Sequence, residues 1–114
     1  MFHTEMEVWK LSMDIVEDVY RLTNKFPKSE VYTLVSQMKR SAISVPSNIA
    51  EGMSRNSTKE CNRFLHFSLA SLSELDTQLI LSKRLSFIDE YDTSKLVSVK
   101  KLLLGTINHL KAKL

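Results

Sequence analysis

Arg40-Ser-Ala-Ile-Ser-Val-Pro-Ser-Asn-Ile-Ala-Glu-Gly52 is the one stretch in which a proline falls inside an otherwise unbroken helical pattern. Val31, Leu34 or Val35, Met38, Ala42, Val45, Ile49 and Met53 recur in steps of three and four, which stacks them on one face of a helix. Pro46 removes one N–H from that helix and crowds the carbonyl of Ala42, a defect that costs about 3 kcal/mol in an ordinary helix. The spacing predicts a continuous helix kinked at Pro46, with Ser41, Ser44 or Ser47 available to bond carbonyls around the proline. Gly52 supplies a stop. Ser57-Thr-Lys-Glu60 then has the form of a capping box, in which hydroxyl and carboxylate satisfy end amides reciprocally. The segment therefore bends one helix and launches the next.

Outward from this centre the same periodicity recurs three times. Towards the N-terminus, a first helix is predicted from about Thr4 to Lys25. Its row Val8, Leu11, Ile15, Val19 and Leu22 is doubled by Met6, Trp9, Met13, Val16 and Tyr20. Together the two rows cover about 200° of the helix, wider than one neighbour needs. Phe26-Pro27 ends it, because a residue before proline avoids the helical region, and Ser29 is the expected N-cap of the second helix. After Ser57 a third helix is expected to reach about Leu85. Its seam is Cys61, Leu65, Ser68, Leu72, Leu75, Leu79 and Ser82, while Phe67 and Leu81 point away from that seam. Asp92 or Thr93 caps a fourth helix whose inner row is Leu96, Val99, Leu103, Ile107, Leu110 and Leu114. The expected architecture is all-α: residues 1–114 as a single domain, an antiparallel up-down-up-down four-helix bundle.

Composition agrees with that reading. With 2 glycines and 2 prolines in 114 residues, the many tight turns of a β-sandwich or barrel have no material. One cysteine, Cys61, makes no disulfide within the chain and suits a reducing compartment. The N-terminal residues lack the apolar stretch of a signal peptide, and the longest aliphatic run, Leu102-Leu103-Leu104, is too short to cross a bilayer. A cytoplasmic protein with no membrane partner is expected.

Catalytic chemistry finds no constellation. Glycine occurs only at 52 and 105, so there is no nucleophile elbow and no phosphate-cradling loop. His3, His66 and His109 are scattered and form no metal-ligand spacing with Cys61 or an acid. No enzyme activity, metal or cofactor is expected. Asn48 and Glu51, one turn apart beside the core stripe, have two readings: a polar cluster for a ligand, or groups that satisfy the carbonyl freed by Pro46 and the amides of the next helix start. The formal net charge is +3, a mild basic excess that permits nucleic-acid contact without demanding it. The candidate phosphate-binding residues are Lys39, Arg40, Arg55, Lys59, Arg63, Lys83 and Arg84, which would bind by charge without reading sequence. Ion pairs of Glu51 with Arg55 and Glu60 with Arg63 are the competing structural reading, and no aromatic stacking platform is evident beside the cations. The spare apolar residues Met6, Trp9, Met13 and Tyr20 on the first helix, with Phe67 and Leu81 on the third, exceed what a bundle buries. They mark a surface for self-association, most simply head-to-tail in a ring.

The string Val45-Pro-Ser-Asn-Ile-Ala-Glu-Gly52, with Arg55-Asn-Ser-Thr-Lys-Glu60, Arg63-Phe-Leu65, Ser71-Leu-Ser-Glu-Leu-Asp-Thr-Gln-Leu79 and Glu7-Val-Trp-Lys-Leu11, resembles the four-helix-bundle 23S rRNA intervening-sequence proteins over nearly the whole chain. That family in turn looks like the accessory protein of diversity-generating retroelements, a basic pentameric ring that binds nucleic acid and a reverse transcriptase. The resemblance implies a homopentamer with a basic surface, RNA or DNA as ligand, and a reverse transcriptase or other protein as partner. Two functions are carried forward: a non-enzymatic, homo-oligomeric protein for nucleic-acid binding or ribonucleoprotein assembly, and a homo-oligomeric scaffold that binds a protein partner and no nucleic acid.

Overall fold

Apolar residues repeated at helical spacing need a neighbour for each stripe, and four helices supply one another. In the computed structural model, which describes residues 2–114, α1 spans Glu7–Thr23, α2 Leu34–Met53, α3 Thr58–Arg84 and α4 Ser94–Lys111. Short 3-10 turns occupy His3–Glu5 and Lys28–Glu30, and there is no strand among the described residues. Each α-helix packs on the next in sequence and α1 closes on α4, giving a bundle with extents of 46 × 23 × 21 Å. The fold is a four-helix bundle.

The core lies along the predicted rows. Val8, Ile15 and Val19 of α1 meet Met38, Ala42, Val45 and Ile49 of α2, Leu65, Leu72, Leu75 and Leu79 of α3, and Val99, Leu103 and Ile107 of α4. Fully burying one such large side chain stabilises by about 1.5–3 kcal/mol, so this shared stripe is the main cohesive term. Three serine hydroxyls set the α2–α3 register. Ser82 Oγ lies 3.4 Å from Met38 Sδ, Ser71 Oγ 2.8 Å from Ser44 Oγ, and Ser68 Oγ donates to the Val45 carbonyl at 2.8 Å. Numbers rise along α2 as they fall along α3, the register of an antiparallel pair.

α2 runs through Pro46 without a break. Three side chains serve the carbonyls following that of Ala42. Ser47 Oγ donates to Ile43 O at 2.8 Å, Asn48 Nδ2 to Ser44 O at 2.8 Å, and Ser68 Oγ to Val45 O. Asn48 thus has a backbone partner inside its own helix, the carbonyl of Ser44 rather than that of Ala42, which Pro46 leaves without its N–H.

The helix ends differ from expectation in places. α1 begins at Glu7 rather than Thr4, since Met6 is extended (φ −78°, ψ 131°), and it ends at Thr23. α2 begins at Leu34, not after Ser29. Val31 and Tyr32 are 47% and 94% exposed, so no core contact rewards a helix there. Thr33 Oγ1 donates to the Glu30 carboxylate at 2.9 Å, which favours a local turn. Leu114, expected on the inner row of α4, is exposed beyond the helix. α4 is capped from Asp92, whose carboxylate accepts the Ser94 N–H at 2.9 Å.

Candidate nucleic-acid interface

The connection between α2 and α3 is built by close approach. Gly52 is helical and has no positive φ, and α2 ends one residue beyond it at Met53. A Cβ at this position would sit 3.0 Å from the Cys61 carbonyl oxygen and 3.2 Å from Phe64 Cβ. Glycine is there because the last turn of α2 lies against the first turn of α3. Helix α2 closes at Ser54, whose N–H reaches the Ala50 and Glu51 carbonyls and whose hydroxyl donates to Glu51 O at 2.7 Å. Ser57 Oγ accepts the Glu60 N–H at 3.2 Å, the forward half of the capping box. The Glu60 carboxylate instead accepts from Arg63 at 3.4 Å. Cys61 is buried beside this turn, its Sγ 3.9 Å from Met53 Sδ, and burial pushes its thiol pKa up.

That tight turn brings together residues that the sequence separates. The Arg55 guanidinium lies 4.6 Å from the centroid of the Phe64 ring, and Arg63 lies 5.8 Å from Phe64 and 5.1 Å from Phe67. The two rings meet edge to face at 5.6 Å and 90°. An aromatic pair does therefore accompany the arginines, contrary to the reading of the sequence alone. Arg63 and Phe67 are i, i+4 partners and could have been seen as such. Arg55 and Phe64 are neighbours only because Gly52 lets the helices touch. Both anticipated ion pairs form, Arg55–Glu51 at 2.9 Å and Arg63–Glu60 at 3.4 Å. All four side chains are about half exposed, and pairs of this kind contribute about 0–1 kcal/mol, so phosphate can compete for the cations. Lys59 has no acid within 4 Å among the described residues.

The seven predicted cations do not form one patch. Arg55, Lys59 and Arg63 share the α2–α3 turn. Arg40 is ~22 Å from Arg55 along the helix axis, and Lys83 is ~36 Å from Lys59. Lys39 places its ammonium 4.5 Å from the centroid of the Tyr20 ring, joining α2 to α1. Arg40 lines a polar groove of about 440 Å3 with Ser44, Ser71, Glu74 and Gln78, where the buried Gln78 Oε1 has no hydrogen-bond partner. Lys83 is paired with Glu90 at 2.6 Å, and that hydrogen bond raises its pKa. Arg84 is exposed at the end of α3.

Of the apolar residues predicted for self-association, Met6 and Trp9 are half-buried and packed against the core, and the ring of His3 meets Trp9 at 5.3 Å. Met13, Tyr20, Phe67 and Leu81 remain exposed, joined by Ile43, Ile80 and Leu85, which the helical rows did not single out. A larger hollow of about 560 Å3 lies between α1 and the α3–α4 connection. Ile15, Val19 and Leu79 are among its apolar lining, and a Lys95–Asp18 pair at 2.7 Å stands among its charged residues. Among the described residues no group of three His, Cys, Asp or Glu side chains is placed to hold a metal. No helix of the described residues is long and apolar enough to cross a membrane.

No curated protein matches the chain. The family model of the 23S rRNA-intervening sequence protein matches residues 4–108, from the turn before α1 into the last turn of α4. That span includes the Pro46–Gly52 motif and the arginine–phenylalanine cluster together. The chain belongs to the 23S rRNA-intervening sequence protein family.

Proposed function

We propose that this protein is a non-enzymatic, cytoplasmic, homo-oligomeric nucleic-acid-binding protein that takes part in ribonucleoprotein assembly. The observation that carries the reading is the grouping of Arg55, Lys59 and Arg63 at the α2–α3 turn, in a family named for an insertion in ribosomal RNA. These three cations are the charged group that draws the strand to the turn, with Lys59, which has no acid partner among the described residues, as the primary phosphate contact. Lys39, Arg40, Lys83 and Arg84 lie too far along the bundle to join them within one subunit, and they extend the basic surface once copies assemble. A pentameric ring is the proposed assembly, with Met13 and Leu81 on its contact faces.

Binding of a labelled RNA at two salt concentrations tests the function. The expected result is measurable affinity at low salt that falls as salt rises, with a shallower slope when Arg55, Lys59 and Arg63 are changed to glutamine. No binding at low salt overturns it. Light scattering tests the assembly, and a mass near the 13.1 kDa of one chain would refute it. A scaffold for a protein partner such as a polymerase is favoured by one observation: Arg55 and Arg63 already have carboxylate partners. A polypeptide that co-purifies free of RNA would support that second reading.

A further inference from the structure

We infer that the Arg55–Phe64–Arg63–Phe67 cluster receives an unpaired base, so that the strand bound at the α2–α3 turn is single-stranded. This rests on the nucleic-acid reading above and narrows it to a class of ligand. Charge alone would not choose between duplex and single strand, because phosphates line both. The cluster adds two things that a duplex cannot use. The first is an aromatic face. Phe67 is 42% exposed, and its ring is held by Phe64, perpendicular to it at 5.6 Å, and by Arg63 at 5.1 Å. A ring so fixed is a platform on which a base can stack, and in a duplex the base faces are already stacked on one another. The second is the charge balance. Arg55, Lys59 and Arg63 stand beside Glu51 and Glu60, which are bonded to the two arginines. Two carboxylates among three cations are a poor rail for closely spaced phosphates. They tolerate a neutral base, with Lys59, one turn before Arg63 and without an acid partner, left for a single phosphate.

The same geometry sets Phe67 apart from the apolar residues expected to join subunits. An interface between copies would have to bury the Arg63 guanidinium lying over its ring, a charge that is costly to desolvate. A base stacks on the ring face that the guanidinium leaves open, and the charge stays in water. Phe67 is accordingly assigned to the ligand and not to the assembly.

The test uses a labelled single-stranded RNA of mixed sequence and the same RNA annealed to its complement, at low salt, with the wild-type chain, Phe67→Leu and Phe67→Tyr. Wild type should bind the single strand more tightly than the duplex. Phe67→Leu keeps the apolar volume and removes the aromatic face. It should weaken the single-strand complex by about tenfold, leave duplex binding and the light-scattering mass unchanged, and be rescued by Phe67→Tyr. Equal single-strand affinity for wild type and Phe67→Leu overturns the inference, as does tighter binding of duplex, or an assembly that falls apart when Phe67 is changed. In the first two cases the phosphate-binding function survives. If wild type binds neither RNA, that function fails and the inference fails with it.

Discussion

The two ends of α3 are closed in opposite ways. At its start only Ser54–Ser57 separate it from α2, the backbones approach to the limit a glycine allows, and two arginines fold onto two rings. At its end, residues 85–93 lead to α4, Ser86 adopts a left-handed conformation (φ 62°), and a hollow of about 560 Å3 opens against α1. One connection fixes side chains by backbone contact. The other is held by a few polar bonds, the buried Ile88 and an aromatic contact, Phe26 with Phe87 at 5.5 Å. A site that must present rings and cations in a set geometry belongs at the first end, because there the supporting atoms cannot move independently.

Gly52→Ala breaks the tight end and should have the largest effect. The new methyl lands 3.0 Å from the Cys61 carbonyl oxygen, a backbone atom that yields only if the helices separate. Overpacking of this kind costs about 2–3 kcal/mol. Alanine's better helix propensity returns about 1 kcal/mol, so a net loss of about 1–2 kcal/mol is expected in denaturant unfolding. Gly105→Ala is the internal control. A Cβ there meets nothing within 4 Å, and only the propensity gain of about 1 kcal/mol remains. Equal behaviour of the two variants would refute the claim that Gly52 is required by contact.

Ser86→Gly sharpens the other side of the comparison. Phe87 N–H bonds Ser82 O at 2.9 Å and Ser86 N–H bonds Lys83 O at 3.0 Å, the paired bonds of a Schellman close. The left-handed residue in that motif is usually glycine, and a serine pays about 1 kcal/mol in its place. Ser86→Gly should therefore raise stability by somewhat less than about 1 kcal/mol, since glycine also gains freedom in the unfolded chain. A fall in the unfolding midpoint would show that the Ser86 side chain contributes more than the backbone strain removes.

How far these features could be read from the residues alone follows from the range of the interactions. Rows such as Leu65, Ser68, Leu72 and Leu75 report burial directly, because a helix repeats every 3.6 residues whatever packs on it. Ser57 as N-cap is equally local. The start of α2 was misplaced because Ser29 and Glu30 look like a helix start, while the exposure of Val31 and Tyr32 depends on where the bundle ends. The glycine of Gly52 invited a reading as a stop, although its cause is a neighbour nine residues on, Cys61. The arginine–phenylalanine cluster was hidden for the same reason: Arg55 meets Phe64 across a turn whose tightness no local pattern states. What escaped at Gly52 and Arg55 was a contact between helices, and at the start of α2 the lack of one.

The smallest effect is expected at Asp92, and it separates the two ends by pH. Its carboxylate accepts the Ser94 N–H at 2.9 Å, and this backbone bond, followed by that of the Ser94 side chain, holds its pKa below the usual value. A carboxyl with a lowered folded pKa adds stability that is present above its unfolded pKa and is lost as pH falls through the folded one. The cap of α4 should thus weaken only on the acid side of the ordinary aspartate range. Asp92→Asn keeps an oxygen acceptor but cannot be protonated there. The variant should unfold much like wild type at neutral pH and lose less of its thermal midpoint on acidification. At the other end of α3 the cap is the hydroxyl of Ser57, which does not titrate, so Ser57→Ala should lower the midpoint by the same amount at both pH values. If Asp92→Asn instead lost as much on acidification as wild type, the cap of α4 would not be the source of the acid sensitivity.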